Sequence, residues 1–443
     1  MSGSSHTDAA VARLQELVRI PTVSHRDPAR IDRQAFDDFH TALADCFPLL
    51  HQHLERIDIH EHAVLFRWPG ASSARPVVLM AHIDVVPVEG TWQHPPFGAE
   101  IADGAIWGRG TLDDKGSLVA ICEAVERLLA DGVTPAQDVW LSFGADEEVS
   151  GDSAPLAVAE LRKRGVTPWF VLDEGGAIAH QAFPGITAPI GVVGVTEKGV
   201  TSLELTAQGR GGHASTPARN GPTARIARAI TRLDSAPMRP HLPPPTLELF
   251  RRIGAQAPAP LGALFSHGTR LSPLFTRALI AAGPEAAALV RTTIAVTTLS
   301  GSPALNVIAG QASAGVNIRV MVGDTVDEAI AHIRKAIADD SIEIAVVERN
   351  EPSPVSPMDD AFSLIESTIT EQFSDAVPAP YVMMAATDSR FFTEICDRVY
   401  RFTPFRMTKQ QREAIHSYDE HLGVDAFLDG IAWYRRLLEG LPA

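Results

Sequence analysis

Only three cysteines, Cys46, Cys122 and Cys396, occur in 443 residues, and they stand far apart. An odd, scattered set argues against a disulfide scaffold or a sulfur-ligated zinc site, and a reducing compartment is the simpler expectation. Basic residues are also short: 38 Lys plus Arg stand against 54 Asp plus Glu, a formal net charge of −16. Duplex nucleic acid and anionic membrane are therefore not expected partners, although a local basic site is compatible with this balance. No apolar run is long enough to span a bilayer. The opening "MSGSSHTDAA" has no basic region followed by an apolar one, so no signal peptide is expected and a cytoplasmic location is. The remainder is ordinary globular composition, 45% hydrophobic and 21% charged, in a chain long enough for two domains.

The apolar spacing of Val11, Leu14, Leu17 and Val18 predicts a first helix from about Thr7 to Arg19, stopped by Pro21. "PVVLMAHID", "DVWLSFGADEE" and "WFVLDEGG" read as buried strands, and "GSLVAICEAVERLLADG" as a helix stopped at Gly132. Near-continuous apolar strands alternating with helices predict a parallel or mixed sheet covered on both faces. Near residue 195 the pattern changes. "GVTSLELTAQ" alternates like a half-wet antiparallel strand, and Thr325 with Glu328 forms a capping-box pattern ahead of a helix. The chain is expected to form an α/β catalytic domain from residues 1–194 and 352–443. An α+β lid or dimerisation domain, 195–351, is inserted between them. Residues 235–290 look like a further excursion, rich in proline and alanine from Asp234 to about Pro260. Loop padding is the default reading of it, and a wall for an acyl pocket the alternative.

Acids collect where these strands stop: His82 and Asp84 in "AHID", Glu147 and Glu148 in "ADEE", Asp173 and Glu174 in "LDEGG". Asp113 and Asp114 in "GRGTLDDKG" precede a helix, whose N-terminus tolerates negative charge. In an open α/β sheet, the carboxyl ends of the strands line one crevice. So many carboxylates in one crevice need neutralising, and divalent cations do this well. Carboxylate with imidazole favours zinc, cobalt or manganese. Each residue also has a plain reading. A lone His beside an apolar run is usually structural, paired acids are often a wet turn, and His416 in "AIHSYDE" means little alone.

Taken together, "MAHIDVVPV", "WQHPPFGAEIADGAIWGRGTLDDKG", "GADEEVSG", "VLDEGG", "GRGGHASTP", "TDSRFF" and "IHSYDE" resemble the dinuclear zinc aminoacylase and carboxypeptidase family, peptidase family twenty. The long second block is most similar to its carboxypeptidase S and N-acyl-amino-acid synthase/hydrolase branch. The resemblance implies two bound divalent ions, most simply Zn2+, with Co2+ or Mn2+ as alternatives. It implies that His82 binds one ion, oriented by Asp84, and that Asp113 bridges both ahead of a cis Asp113–Asp114 peptide. Glu148 and His416 would bind the other ion, and Glu174 would complete the first site. Asp173 is the adjacent competitor, left open at this stage. Glu147 would be the general base. His213 would steady the oxyanion, Asn306 would lie near the substrate, and Arg390 would clamp a substrate carboxylate. Ser150 stands where many relatives carry glycine, which should affect loop geometry more than the metals.

The implied reaction is hydrolysis of an amide or peptide bond in a small substrate with a free carboxylate, an N-acyl-amino acid or short peptide. Dipeptidase action is the alternative within the family, and a homodimer through the inserted domain is an expected assembly. From another class, a chain that only binds a ligand or dimerises remains, but the retained His82, Asp113, Glu147, Glu148 and His416 argue against it. "GRGTLDDKG" lacks the six-residue glycine fingerprint of dinucleotide sites.

Overall fold

The computed structural model describes residues 2–443 apart from 184, 259–261, 263–264 and 266–271, so Pro260 lies outside the described residues. A ten-stranded mixed sheet forms its centre. From one edge the strands run Glu55–His60, Ala63–Trp68, Gln137–Gly144, Ser72–His82, Phe170–Asp173, Val399–Arg401, Ile190–Glu197, Ala177–Ala179 and Arg406–Met407. Val377–Met383 pairs in parallel with Ile190–Glu197. The middle four strands, Gln137–Gly144 to Val399–Arg401, are mutually parallel.

The apolar runs follow from burial on two faces. Val77, Leu79 and Ala81 enter one apolar cluster, and the intervening Val78 and Met80 enter another. Alternation in a pleated strand sends successive side chains to opposite faces, so a strand covered on both sides has no wet position left. The first face is covered by helices Ser2–Val18, Arg33–Cys46, Lys115–Ala130, Asp360–Gln372 and Val424–Glu439, the second by Ser153–Lys163 and Ser389–Phe392. The first helix begins earlier than the pattern predicts. Leu14, Leu17 and Val18 are fully buried, a contribution of about 1.5–3 kcal/mol for each large side chain. Lys115–Ala130 ends as expected, with Gly132 at φ +71°.

From Glu197 the chain passes into a four-stranded antiparallel sheet, ordered Thr293–Ser300, Gln311–Val320, Gly199–Gln208, Ile342–Arg349. Helices Pro222–Asp234 and Val326–Ile337 cover one face over Leu203, Leu205, Val316 and Ile318, and Thr325 and Glu328 do form the capping box. After Arg349 the chain returns. Ser353 Oγ accepts the Glu197 N–H at 2.8 Å, and Ser356 N–H donates to Val195 O at 2.8 Å.

The padding expected at 235–290 is instead largely helical. Pro244–Ile253, Ser272–Ala282 and Pro284–Ala288 pack Phe250, Phe275, Leu279 and Leu289 against Ile190 and Ala379 of the central sheet. Pro244 and Pro284 occupy the first helical turn, where a missing N–H costs nothing. Prolines that look like breakers therefore open helices here.

Candidate metal centre

Three neighbouring parallel strands deliver their ends to one crevice. Ser72–His82 pairs in register with Gln137–Gly144, setting His82 beside Gly144. Asp84, fully buried, then accepts the N–H groups of Glu147 (3.2 Å) and Glu148 (3.1 Å). The turn carrying both glutamates is thus fastened to the strand carrying His82. His82 Nδ1 donates to the Asp84 main-chain carbonyl at 2.9 Å, and the Asp84 carboxylate lies 3.4 Å away. The ring is oriented by backbone as well as by carboxylate, leaving Nε2 free to face the crevice.

Asp146, the remaining acid of "ADEE", points elsewhere. Its carboxylate accepts the N–H groups of Asp152 (2.9 Å) and Ser153 (3.2 Å), at the start of helix Ser153–Lys163. Gly151 must be glycine for this, since a Cβ there would meet that carboxylate at 2.1 Å. Ser150 sits at φ +57°, the left-handed region. Ser150→Gly is expected to stabilise the fold by about 0.5–1 kcal/mol and to leave turnover within twofold. Calorimetry would show a Tm raised by about 1–2 °C; a fall would mean that the Ser150 side chain contributes to the fold.

Asp113 stands between the two histidines. Its carboxylate lies 3.0 Å from His82 Nε2 and 2.9 Å from His416 Nε2, and its peptide bond to Asp114 is cis. Glu148 lies 2.9 Å from His416 Nε2, and Glu174 3.5 Å from His82 Nε2. Two sets of ligand atoms, His82–Asp113–Glu148 and His82–Asp114–Glu174, each lie within 4.8 Å. The structure separates the two adjacent acids after "VL": Asp173 accepts the Ser389 N–H at 3.0 Å, while Glu174 faces His82. Asp114 joins the second set, a placement not anticipated from the sequence. Its doubled-acid motif was visible, but not the direction of its side chain.

Gathered in one buried crevice, these groups repel one another and resist ionisation. Burial, with neighbouring carboxylates, pushes Glu147, Glu148, Glu174 and Asp114 above the usual carboxylate range. Both oxygens of Asp114 and Oε1 of Glu148 are buried without a hydrogen-bond partner among the described residues. His416 is pushed up to about 10 by the carboxylates of Asp113 and Glu148. A carboxyl or imidazolium whose pKa is raised must give up its proton before it ligates, so cation affinity falls as pH is lowered. The donor set of imidazole and carboxylate, with unpartnered oxygens aimed inward, fits a pair of divalent ions.

A profile of peptidase family M20/M25/M40 matches residues 78–440, the span that contains every one of these ligands. The chain belongs to this family. Among proteins similar to it are carboxypeptidase S-like 2 of Dictyostelium discoideum, 35% identical, and the N-fatty-acyl-amino acid synthase/hydrolase of Homo sapiens, 33% identical. The alignments span 96% of this chain in both cases, and 84% and 86% of those proteins. Human carnosine dipeptidase 1 shares the fold at TM-score 0.70 and 16% identity, over 98% of this chain and 96% of that one. An M20 metallo-carboxypeptidase of Sulfolobus solfataricus does so at TM-score 0.69 and 16% identity, over 97% and 98%. The M20 chain is therefore a metal-dependent hydrolase with a dinuclear site, of the type that acts on small peptide or amide substrates, and it falls with the carboxypeptidase S branch. Among its described residues no helix is long and apolar enough to cross a membrane.

Three sequence candidates lie outside the acid cluster. His213 and Asn306 lie on adjoining segments: Gly212–His213 pairs with Val307–Ile308, and Ala214 N–H donates to Asn306 O at 3.1 Å. Both are exposed, and among the described residues no hydrogen bond or ion pair joins them to the carboxylates. Arg390 lies on Ser389–Phe392 and lines a cavity of about 250 Å³ with Glu197, Lys198, Arg349 and Ser353. Its Nη1 donates to Thr387 O at 3.2 Å, its Nε is buried and unpartnered, and it forms no ion pair among the described residues.

Proposed function

We propose that this M20 hydrolase cleaves the amide bond of N-acyl-amino acids or short peptides that carry a free carboxylate. The observation that carries the reading is Arg390, a guanidinium with no carboxylate partner among the described residues, lining a cavity where the two sheets meet. A planar fork of donors matches a carboxylate in two places. Dipeptides belong to the same substrate class, and the relatives' names cover both carboxypeptidase and N-fatty-acyl-amino acid chemistry.

In this reading residues 1–194 and 352–443 form the catalytic domain, and 195–351 the lid. His82, Asp113 and Glu174 would hold one ion; Asp113, Glu148 and His416 would hold the other. Zn2+, or Co2+ or Mn2+ in its place, would polarise the amide carbonyl and lower the pKa of water. Asp84 keeps the His82 ring and the Glu147–Glu148 turn in place. Glu147 takes a proton from the attacking water and returns it to the departing amine nitrogen. No side-chain hydrogen bond or ion pair restrains Glu147 among the described residues, so it is free to move that proton. His213 would donate to the developing oxyanion, with Asn306 beside it. Reaching the cluster would require closure of the 195–351 unit, or a homodimer in which a second copy supplies the group.

Arg390→Ala is expected to raise KM roughly 10- to 100-fold for an N-acyl-amino acid, the loss of a charged hydrogen-bonding pair. Arg390→Lys should recover only part of this. The matching carboxamide, which has no negative charge, should be a poor substrate for the parent enzyme and insensitive to either substitution. Equal losses on acid and amide would remove Arg390 as the carboxylate clamp.

A further inference from the structure

The two halves of the site are built unequally. His82 ends a central strand, and its side chain is 3% exposed. His416 lies on a loop, and its side chain is 54% exposed. Packing cannot hold His416, and its backbone is unfavourable: His416 and Asp419 have φ of +58° and +60°. Non-glycine residues persist there only when their surroundings over-determine them.

Glu420 supplies that constraint. It is fully buried, four residues after His416. One carboxylate oxygen accepts the N–H groups of Leu112 (2.8 Å) and Asp113 (3.1 Å). The other accepts Arg109 Nη1 at 2.6 Å. Arg109 Nη2 then donates to the carbonyl of Ser417 at 2.7 Å, one residue after His416. The Glu420 main-chain carbonyl accepts the Gly108 N–H at 2.9 Å, and the short strand His421–Gly423 pairs with Ala105–Trp107. Every link joins the loop that bears Asp113 to the loop that bears His416, segments about 300 residues apart in sequence.

We propose that Glu420, acting through Arg109, is a positioning residue that sets the spacing between Asp113 and His416 and so governs retention of the ion on the Glu148–His416 side. It belongs to neither set of ligand atoms. The inference rests on the two-ion reading. The carboxylate geometry is specific: three N–H donors converge on two oxygens, and an amide in its place must turn an NH2 toward one of them. Groups that orient metal ligands typically change affinity 10- to 100-fold when replaced.

The test is a stepwise Co2+ titration of metal-free protein, followed by calorimetry and visible absorption, on the parent chain, Glu420→Gln and Arg109→Lys. The parent should take up two ions. Both variants should bind one ion within about threefold of the parent and the other 10- to 100-fold more weakly, with activity at low Co2+ lost and restored at high Co2+. Arg109→Lys leaves the Glu420 bonds to Leu112 and Asp113 available, so it serves if Glu420→Gln folds poorly. Circular dichroism of the metal-free forms should match the parent, while their Tm falls, since both variants alter a buried ion pair. Equal weakening of both ions would assign Glu420 a general structural role and overturn the proposal. Unchanged affinities in both variants would also overturn it. A parent chain that takes up fewer than two ions would instead overturn the two-ion reading beneath it.

Discussion

Glu147→Gln is expected to lower kcat by about 10²- to 10⁴-fold while two ions remain bound, because an amide of equal size cannot accept the proton from water. The substitution leaves the ligand groups untouched. Glu148 keeps its place through the Asp84 carboxylate, which accepts the main-chain N–H of both glutamates and is indifferent to the side chain at 147. KM should move little, since the loss falls on the transition state rather than on binding. Metal analysis beside steady-state kinetics checks this. Turnover near the parent value removes Glu147 as the base, and loss of an ion makes it a ligand.

Removal of metal should have a still larger effect. Chelation is expected to abolish measurable turnover and to lower the Tm, with both restored by Zn2+ or Co2+. The stability change is mass action: an ion held at about 1,000 times its Kd stabilises the folded chain by about 4 kcal/mol. The electrostatics give the same sign. Without cations, Glu147, Glu148, Glu174 and Asp114 are carboxyls driven upward in pKa by burial and by one another. Asp113→Ala should behave like chelation but resist rescue, since Asp113 faces both histidines. Full activity in excess chelator, or full rescue of Asp113→Ala by zinc, would count against the centre described above.

Much of the site was legible because several of its residues, His82, Glu147, Glu148 and Glu174, lie at the ends of apolar strands. A run such as "VVLMAHID" shows both the buried strand and the point where polarity begins, and the order of parallel strands then gathers those points in one crevice. What stayed hidden depends on pairings remote in sequence. Asp173 and Glu174 are neighbours with opposite orientations, and a partner 216 positions on, the Ser389 N–H, helps hold Asp173 away from the ligand cluster. Glu420 and Arg109 carry no local signal, because their meaning lies in a contact spanning 311 positions. Asp146 adjoins Glu147 in sequence, but its carboxylate is engaged by the N–H groups of Asp152 and Ser153 at the start of a helix. The helices between 244 and 288 were masked by prolines, whose effect depends on whether they fall at a helix start or inside one.

The most direct measurement is anomalous diffraction from crystals of the zinc-replete protein at the zinc edge. Two strong peaks should flank the Asp113 carboxylate, one beside His82 and Glu174 and the other beside Glu148 and His416. Zinc bound elsewhere, or a single peak with His416 turned away from Asp113, would contradict the account.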